Sequence, residues 1–246
     1  MSFSPKQVVE SLLLILLFQA PVILSGQNTA AKRNPFNLDL TVTIDAYRKQ
    51  IAKNPRNIMV DLEKAVKGIR TDIRYATTNN FTKEIIYSEP RAFARKPLAD
   101  ALCKVQDSLA YHKIGLKIYD AYRPYAATLR FYEVYPNTRF VANPVYGSVH
   151  NRGCAIDLTL VELETGKELP MPTPFDDFSS KAGMAYANLS DTILANRKLL
   201  SGVMTFFGFE QNSAEWWHFD FTGWKNFPLM DLPFDELDKS LTPDDK

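Results

Sequence analysis

Residues 148–162 read Ser-Val-His-Asn-Arg-Gly-Cys-Ala-Ile-Asp-Leu-Thr-Leu-Val-Glu. From Cys154 onward the stretch alternates as a strand, with Ala155, Asp157 and Thr159 on one face and Ile156, Leu158 and Leu160 on the other. The strand ends at Glu162, ahead of the turn Glu164-Thr165-Gly166. An ionised carboxylate in so apolar a strand is costly unless it is paired or bound to a cation. Asp157 therefore calls for a partner. The loop before the strand contains Gly153 and can fold His150 back to the same ion. Cys154 points opposite to Asp157 by the period of two, which argues against a thiolate ligand or nucleophile there.

Outward from this strand the elements are mixed. Asp61–Val66 reads as a short helix and Thr71–Thr77 as a strand. A long helix is predicted after Pro97, with Leu98, Ala101, Leu102, Val105, Leu109 and Ala110 recurring at three and four, closed by Gly115. Leu116–Ala121 follows as a strand, Tyr125–Tyr135 as a helix, and Pro136–Pro144 as irregular chain. Ala195–Phe209 is a further helix and Trp216–Phe221 a last strand. The rhythm is not βαβ. It predicts an α+β domain with a mostly antiparallel central sheet and helices packed on one side.

Across 246 residues, 29 Lys+Arg stand against 28 Asp+Glu, and a net charge of +1 removes the electrostatic case for nucleic acid as a partner. A hydrophobic share of 46%, with 10 Gly and 15 Pro, is that of a folded chain. Cys103 and Cys154 can form at most one bridge, which requires Cα atoms within about 7 Å. The apolar run from Ser11 to Ile23 is interrupted by Gln19 and Pro21 and follows Lys6. It is shorter than the roughly 18–20 residues of a spanning helix. We read residues 1–26 as a signal peptide of a protein exported to the periplasm, with no stable membrane insertion once it is cleaved. An uncleaved anchor is the rival reading. Residues 27–38 read as a polar connector and 39–246 as a single domain.

The chain has three His. His112 sits at the polar end of a helix and reads as solvated. His218 lies in Glu215-Trp216-Trp217-His218-Phe219-Asp220-Phe221, where a core histidine beside a salt-bridged glutamate is one reading and a metal ligand the other. On a regular strand Glu215 and His218 would face opposite ways, so a shared site requires Glu215 to precede the strand, in a turn. Two His and one Asp are the number of protein ligands a catalytic zinc uses. The thermolysin-type helix signature is excluded, because no His precedes Glu215 at the required spacing.

The pattern Ser148-x-His150-x-x-Gly153-x-Ala155-x-Asp157, together with Glu215-x-x-His218, resembles the zinc peptidases that group lysostaphin, the D-Ala-D-Ala metallopeptidases and the hedgehog fold. More closely it resembles the D-alanyl-D-alanine dipeptidases of the vancomycin-resistance type. Shared features run from Tyr75-Ala76-Thr77 and Asn80-Phe81-Thr82 through Asp120-Ala121-Tyr122-Arg123-Pro124 to Glu215-Trp216-Trp217-His218, about 150 residues in unbroken order. The resemblance implies one zinc ion per chain, lying on the sheet and held by His150, Asp157 and His218, with Glu215 as general base and acid. It implies Arg123 as oxyanion stabiliser, Ser148 and Tyr75 in the substrate pocket, Asp176 as anchor of the free amine, and Tyr87 in the same pocket. Cys154 and Ala121 depart from the family pattern without touching a functional group. The implied substrate is the small D,D-dipeptide D-Ala-D-Ala, hydrolysed in cell-wall peptide turnover. A D,D-carboxypeptidase acting on peptidoglycan stem peptides and a non-catalytic zinc-stabilised binding protein are the alternatives. Asp176 argues against the first, Glu215 and Arg123 against the second.

Overall fold

The computed structural model describes residues 34–240. Its strands are β1 (Leu40–Thr41), β2 (Met59–Asp61), β3 (Arg70–Thr71), β4 (Phe93–Arg95), β5 (Ile114–Asp120), β6 (Ala155–Glu162), β7 (Phe209–Gln211), β8 (His218–Phe221) and β9 (Leu229–Met230). Its α-helices are α1 (Ile44–Lys53), α2 (Leu62–Ala65), α3 (Lys96–Ala110), α4 (Tyr125–Val134), α5 (Asp191–Phe206) and α6 (Phe234–Ser240). β6 is buried at every position but its last, as a strand with neighbours on both edges should be. It is the middle of a five-stranded sheet in the order β3-β5-β6-β8-β7. The β5–β6, β6–β8 and β8–β7 pairs are antiparallel, and only the edge pair β3–β5 is parallel.

The register explains the two faces. Leu116 pairs with Leu160 and Ile118 with Leu158, so β5 and β6 present one continuous apolar surface. Onto it pack Leu98, Leu102 and Val105 of α3 and Leu200 and Met204 of α5. Each such aliphatic side chain contributes about 1.5–3 kcal/mol when fully buried. Buried Gln106 ties helix to sheet, its Oε1 accepting from the Leu116 N–H at 2.9 Å. Between Ile118 and Asp120 the register shifts, and Asp120 instead of Tyr119 stands opposite Asp157. A bulge re-aims the side chain that follows it. Asp120 is thereby delivered to the face that carries Asp157, away from the helices. The expected mixed fold with a mostly antiparallel sheet and its long helices on one side is the observed one, and α4 lies beside the other face.

Several boundaries differ from the sequence reading. The strand expected over Thr71–Thr77 stops at Thr71. The chain leaves the sheet edge after the Asp72 N–H donates to the Ile118 carbonyl at 2.8 Å, and Arg74–Ala76 forms a single 3-10 turn. The last strand starts at His218, so Trp216 and Trp217 belong to the preceding turn. α5 starts four residues before the expected Ala195, capped by Ser190 Oγ, which accepts from the Ile193 N–H at 3.4 Å. It ends at Phe206, because Gly208 turns the chain at φ +92° into β7. Helix α1 and the antiparallel β2–β4 pairing were not read from the sequence. Cys103 and Cys154 are both free. The signal peptide over 1–26 and most of the connector lie outside the described residues. Among the described residues no helix is long and apolar enough to cross a membrane.

Candidate active site

Two of the expected ligands are set by sheet register. Asp157 of β6 pairs directly with His218 of β8, so the two side chains stand side by side on the face away from α3 and α5. His150 comes from the 3-10 turn His150–Arg152 that leads into β6. Gly153 closes that turn at φ +67°, a conformation costly for other residues, and a Cβ there would meet Met59 Cε at 2.6 Å. The turn is also held from outside, because the Arg123 N–H donates to the His150 carbonyl at 3.2 Å and the Arg95 N–H to the Gly153 carbonyl at 2.9 Å. The Arg95 side chain, fully buried, donates to the Arg152 carbonyl at 2.8 Å.

The three donor atoms converge. His150 Nε2 lies 3.2 Å from His218 Nδ1 and 3.5 Å from Asp157 Oδ1, and His218 Nδ1 lies 2.9 Å from the same oxygen. The second nitrogen of each ring is occupied. His150 Nδ1 is 2.6 Å from the Ala121 carbonyl, which can only accept, and His218 Nε2 is 3.0 Å from Asp220 Oδ1. Each ring therefore donates from its outer nitrogen, which leaves the inner one to offer a lone pair to a cation. Two ring nitrogens and a carboxylate oxygen this close repel one another unless a proton or a cation joins them. In a tetrahedral zinc site with bonds of about 2.0 Å the ligand atoms stand about 3.3 Å apart. The residues present fit a metal ion. Without one, burial opposes charge on His218, but Asp157 and Asp220 outweigh it and raise its pKa well above the imidazole range. Burial likewise opposes charge on Asp157, and His150 and His218 hold its carboxyl below the usual range.

The cluster opens on a cavity of about 210 Å³ whose walls include Tyr75, Arg123, Ser148, Asp176, Glu215 and Trp217. Glu215 lies in the turn before β8, where a shared site with His218 requires it to be. It is 6% exposed, and burial pushes its carboxyl up to about 8. Arg123 follows the bulge at the end of β5. Its Nε and Nη2 donate to Asp120 Oδ2 at 2.9 and 2.7 Å, and its guanidinium lies over the Phe131 ring of α4 at 4.7 Å. Burial opposes its charge, yet Asp120 keeps it a guanidinium. Asp120 is thus tied to Arg123 and orients it. Asp176 adopts φ +62° and accepts from the Tyr75 hydroxyl at 3.0 and 3.2 Å, while burial and then the Asp157 charge push it up to about 7. Ser148 Oγ accepts from the His150 N–H at 3.2 Å.

Tyr87 is not where the resemblance put it. It is buried outside the cavity wall, its hydroxyl donating to Asp120 Oδ1 at 2.8 Å, so it touches the site only through Asp120. Trp216 also faces away, with Nε1 donating to Thr173 Oγ1 at 3.0 Å. Four polar residues of the cavity were missed in the sequence, Thr138, Arg139, Asn212 and Asp220. Asp220 had a signal, since it sits two residues from His218 on one strand and so shares its face.

Residues 56–236 match the profile of the D-Ala-D-Ala dipeptidase family. The chain belongs to that family. A D-alanyl-D-alanine dipeptidase of Escherichia coli is 34% identical over 172 residues, covering 70% of this chain and 89% of that protein. One from Enterococcus faecium is 34% identical over 178 residues, covering 64% of this chain and 88% of its own length. Among solved structures, a zinc(II) complex of a variant vancomycin-resistance D,D-pentapeptidase, VanY, aligns with 14% identity and a TM-score of 0.34 over 63% of this chain and 86% of that one. In this chain the three converging donor atoms share one cavity with Glu215 and Arg123.

Proposed function

We propose that this protein is a zinc metallopeptidase that hydrolyses D-Ala-D-Ala to D-alanine, with His150, Asp157 and His218 as ligands to one zinc ion. The observation that carries the reading is that three inward-facing donor atoms share one cavity with a buried carboxyl, Glu215, that is not part of the donor set. A bound zinc ion supplies Lewis acidity to a water and to the scissile carbonyl. Glu215 accepts the proton of the attacking water at its carboxylate and later returns it to the leaving amine nitrogen. Near a divalent cation its pKa falls from the raised value that burial imposes.

Arg123 faces the developing negative charge. Asp120 holds its Nε and Nη2, and among the described residues Nη1 donates to no acceptor, which leaves that amine for an oxyanion. At the amine end, Asp176 offers its carboxylate to the free ammonium of the dipeptide, and the Tyr75 hydroxyl keeps it oriented. Ser148 Oγ accepts from the His150 N–H and so has its own proton to donate to a substrate oxygen. We also read residues 1–26 as a cleaved leader and the site of action as the periplasm, where cell-wall peptides are turned over. N-terminal sequencing of protein recovered from that compartment should begin beyond the leader, and an intact Met1 on cytoplasmic protein would refute it.

The activity test is alanine release by the zinc-loaded chain from D-Ala-D-Ala, L-Ala-L-Ala and a stem pentapeptide. Cleavage of D-Ala-D-Ala alone is expected. Cleavage of the pentapeptide alone would make it a carboxypeptidase, and zinc uptake without cleavage would make it a binding protein.

A further inference from the structure

Asn212 stands at the end of β7, three residues before Glu215, and lines the same cavity. Its backbone N–H donates to the His218 carbonyl at 3.1 Å. Its side-chain Oδ1 accepts from the Ala214 N–H at 2.8 Å, and its Nδ2 donates to Glu215 Oε2 at 3.2 Å. The amide orientation is fixed by this pair of bonds. A backbone N–H can only donate, so the oxygen must face Ala214 and the amine must face the carboxyl. Among the described residues this is the only hydrogen bond to the Glu215 carboxyl. The backbone beneath is also pinned, because Gln211 Nε2 donates to the carbonyls of Glu215 and His218, both at 3.0 Å.

We infer that Asn212 is a positioning residue, which holds Oε2 of Glu215 and thereby aims Oε1 at the proton it must take. The inference rests on Glu215 being the base. The terminal torsion of a glutamate is broad and roughly two-fold, so a carboxyl with no partner sweeps through orientations of which few are productive. One oxygen held by a neutral donor leaves the other free to exchange a proton without a competing charge. Asn212 thus narrows the torsion while the turn cap through Ala214 keeps Asn212 itself in place.

The two halves of the amide can be separated. Asn212→Asp keeps an oxygen for the Ala214 N–H and replaces the donor to Glu215 with an acceptor; Asn212→Ser keeps a capping oxygen on a side chain too short to reach Glu215. With the full, zinc-loaded chain and D-Ala-D-Ala, both variants should lose kcat by on the order of 10- to 100-fold, with KM within about 3-fold of the parent and zinc content and Tm unchanged. Parental kcat in either variant overturns the inference, and so does loss of zinc or of folding in both, which would make Asn212 a scaffold residue. Glu215→Ala is measured alongside. If it retains turnover, the base assignment fails, and that outcome is distinct from an Asn212 result obtained with an inactive Glu215→Ala.

Discussion

At the scale of single residues, the site separates groups that hold a cation from groups that move protons and charge. His150 and His218 each present a donor nitrogen whose orientation is fixed by a contact at the other ring nitrogen, whereas Glu215 stands apart from the donor set with one amide bond. Glu215→Ala is therefore expected to keep its zinc and lose about 10² to 10⁴ in kcat, while His218→Ala loses zinc as well. Metal analysis of both variants checks this, and equal zinc loss in the two would undo the distinction between base and ligand. Asp176 supplies a pH prediction. Its folded pKa of about 7 is raised above the ordinary 3.8. The ammonium of the substrate pairs only with the ionised form, so KM should rise as pH falls through about 7, and Asp176→Asn should raise KM and flatten that dependence. For stability the sign is opposite. The fold binds this proton more tightly than the unfolded chain does, so its contribution declines as pH rises from 3.8 to about 7. Asp176→Asn should accordingly raise Tm relative to the parent at pH 8 but not at pH 3. A KM insensitive to pH in the parent would count against Asp176 as the amine anchor.

At the scale of elements, the site depends on three local irregularities in otherwise regular strands. The bulge before Asp120 turns that carboxylate toward Arg123, the turn before β8 swings Glu215 onto the face of His218, and the left-handed Gly153 reverses the chain so that His150 meets Asp157. Gly153→Ala should cost about 1–2 kcal/mol for the backbone conformation alone, with the contact to the Met59 side chain added to it. Because the strain falls on the turn carrying His150, zinc affinity should drop together with stability. Chemical denaturation and zinc titration of the variant check both, and a variant with parental stability would show that the turn relaxes elsewhere. The helix and strand periods of α3, β5, α4 and β6 were legible because each has one apolar face. The strand expected over Thr71–Thr77 failed because alternation persists in sequence after the chain has left the sheet, and only pairing decides where a strand stops.

At the scale of the molecule, the metal cluster joins segments far apart in the chain, β6 and its preceding turn with β8, and so ties the central strand of the sheet to its neighbour. A ligand that binds only the folded state stabilises it by mass action, about 2.7 kcal/mol at one hundred times its dissociation constant. Chelation should then lower Tm by about 5–10 °C for a domain of this size and abolish turnover, with zinc restoring both. Since zinc must displace the proton that His218 otherwise holds, its affinity should weaken as pH falls. Differential scanning calorimetry with and without chelator tests the claim, and identical Tm values would place the metal outside the stability of the fold.

The sequence by itself determined the mixed α+β class, the central strand and the residue types of the site, because periodicity and the cost of burying Asp157 are properties of a local stretch. It could not place Tyr87, choose a role for Asp120, or find Asn212, because each is defined by what lies across the fold from it. Tyr87 meets Asp120 across 33 positions of sequence, and the three donor atoms meet across as many as 68. Register, bulge and turn decided those meetings. They are set by pairing between distant segments, and no pattern within a single segment records them.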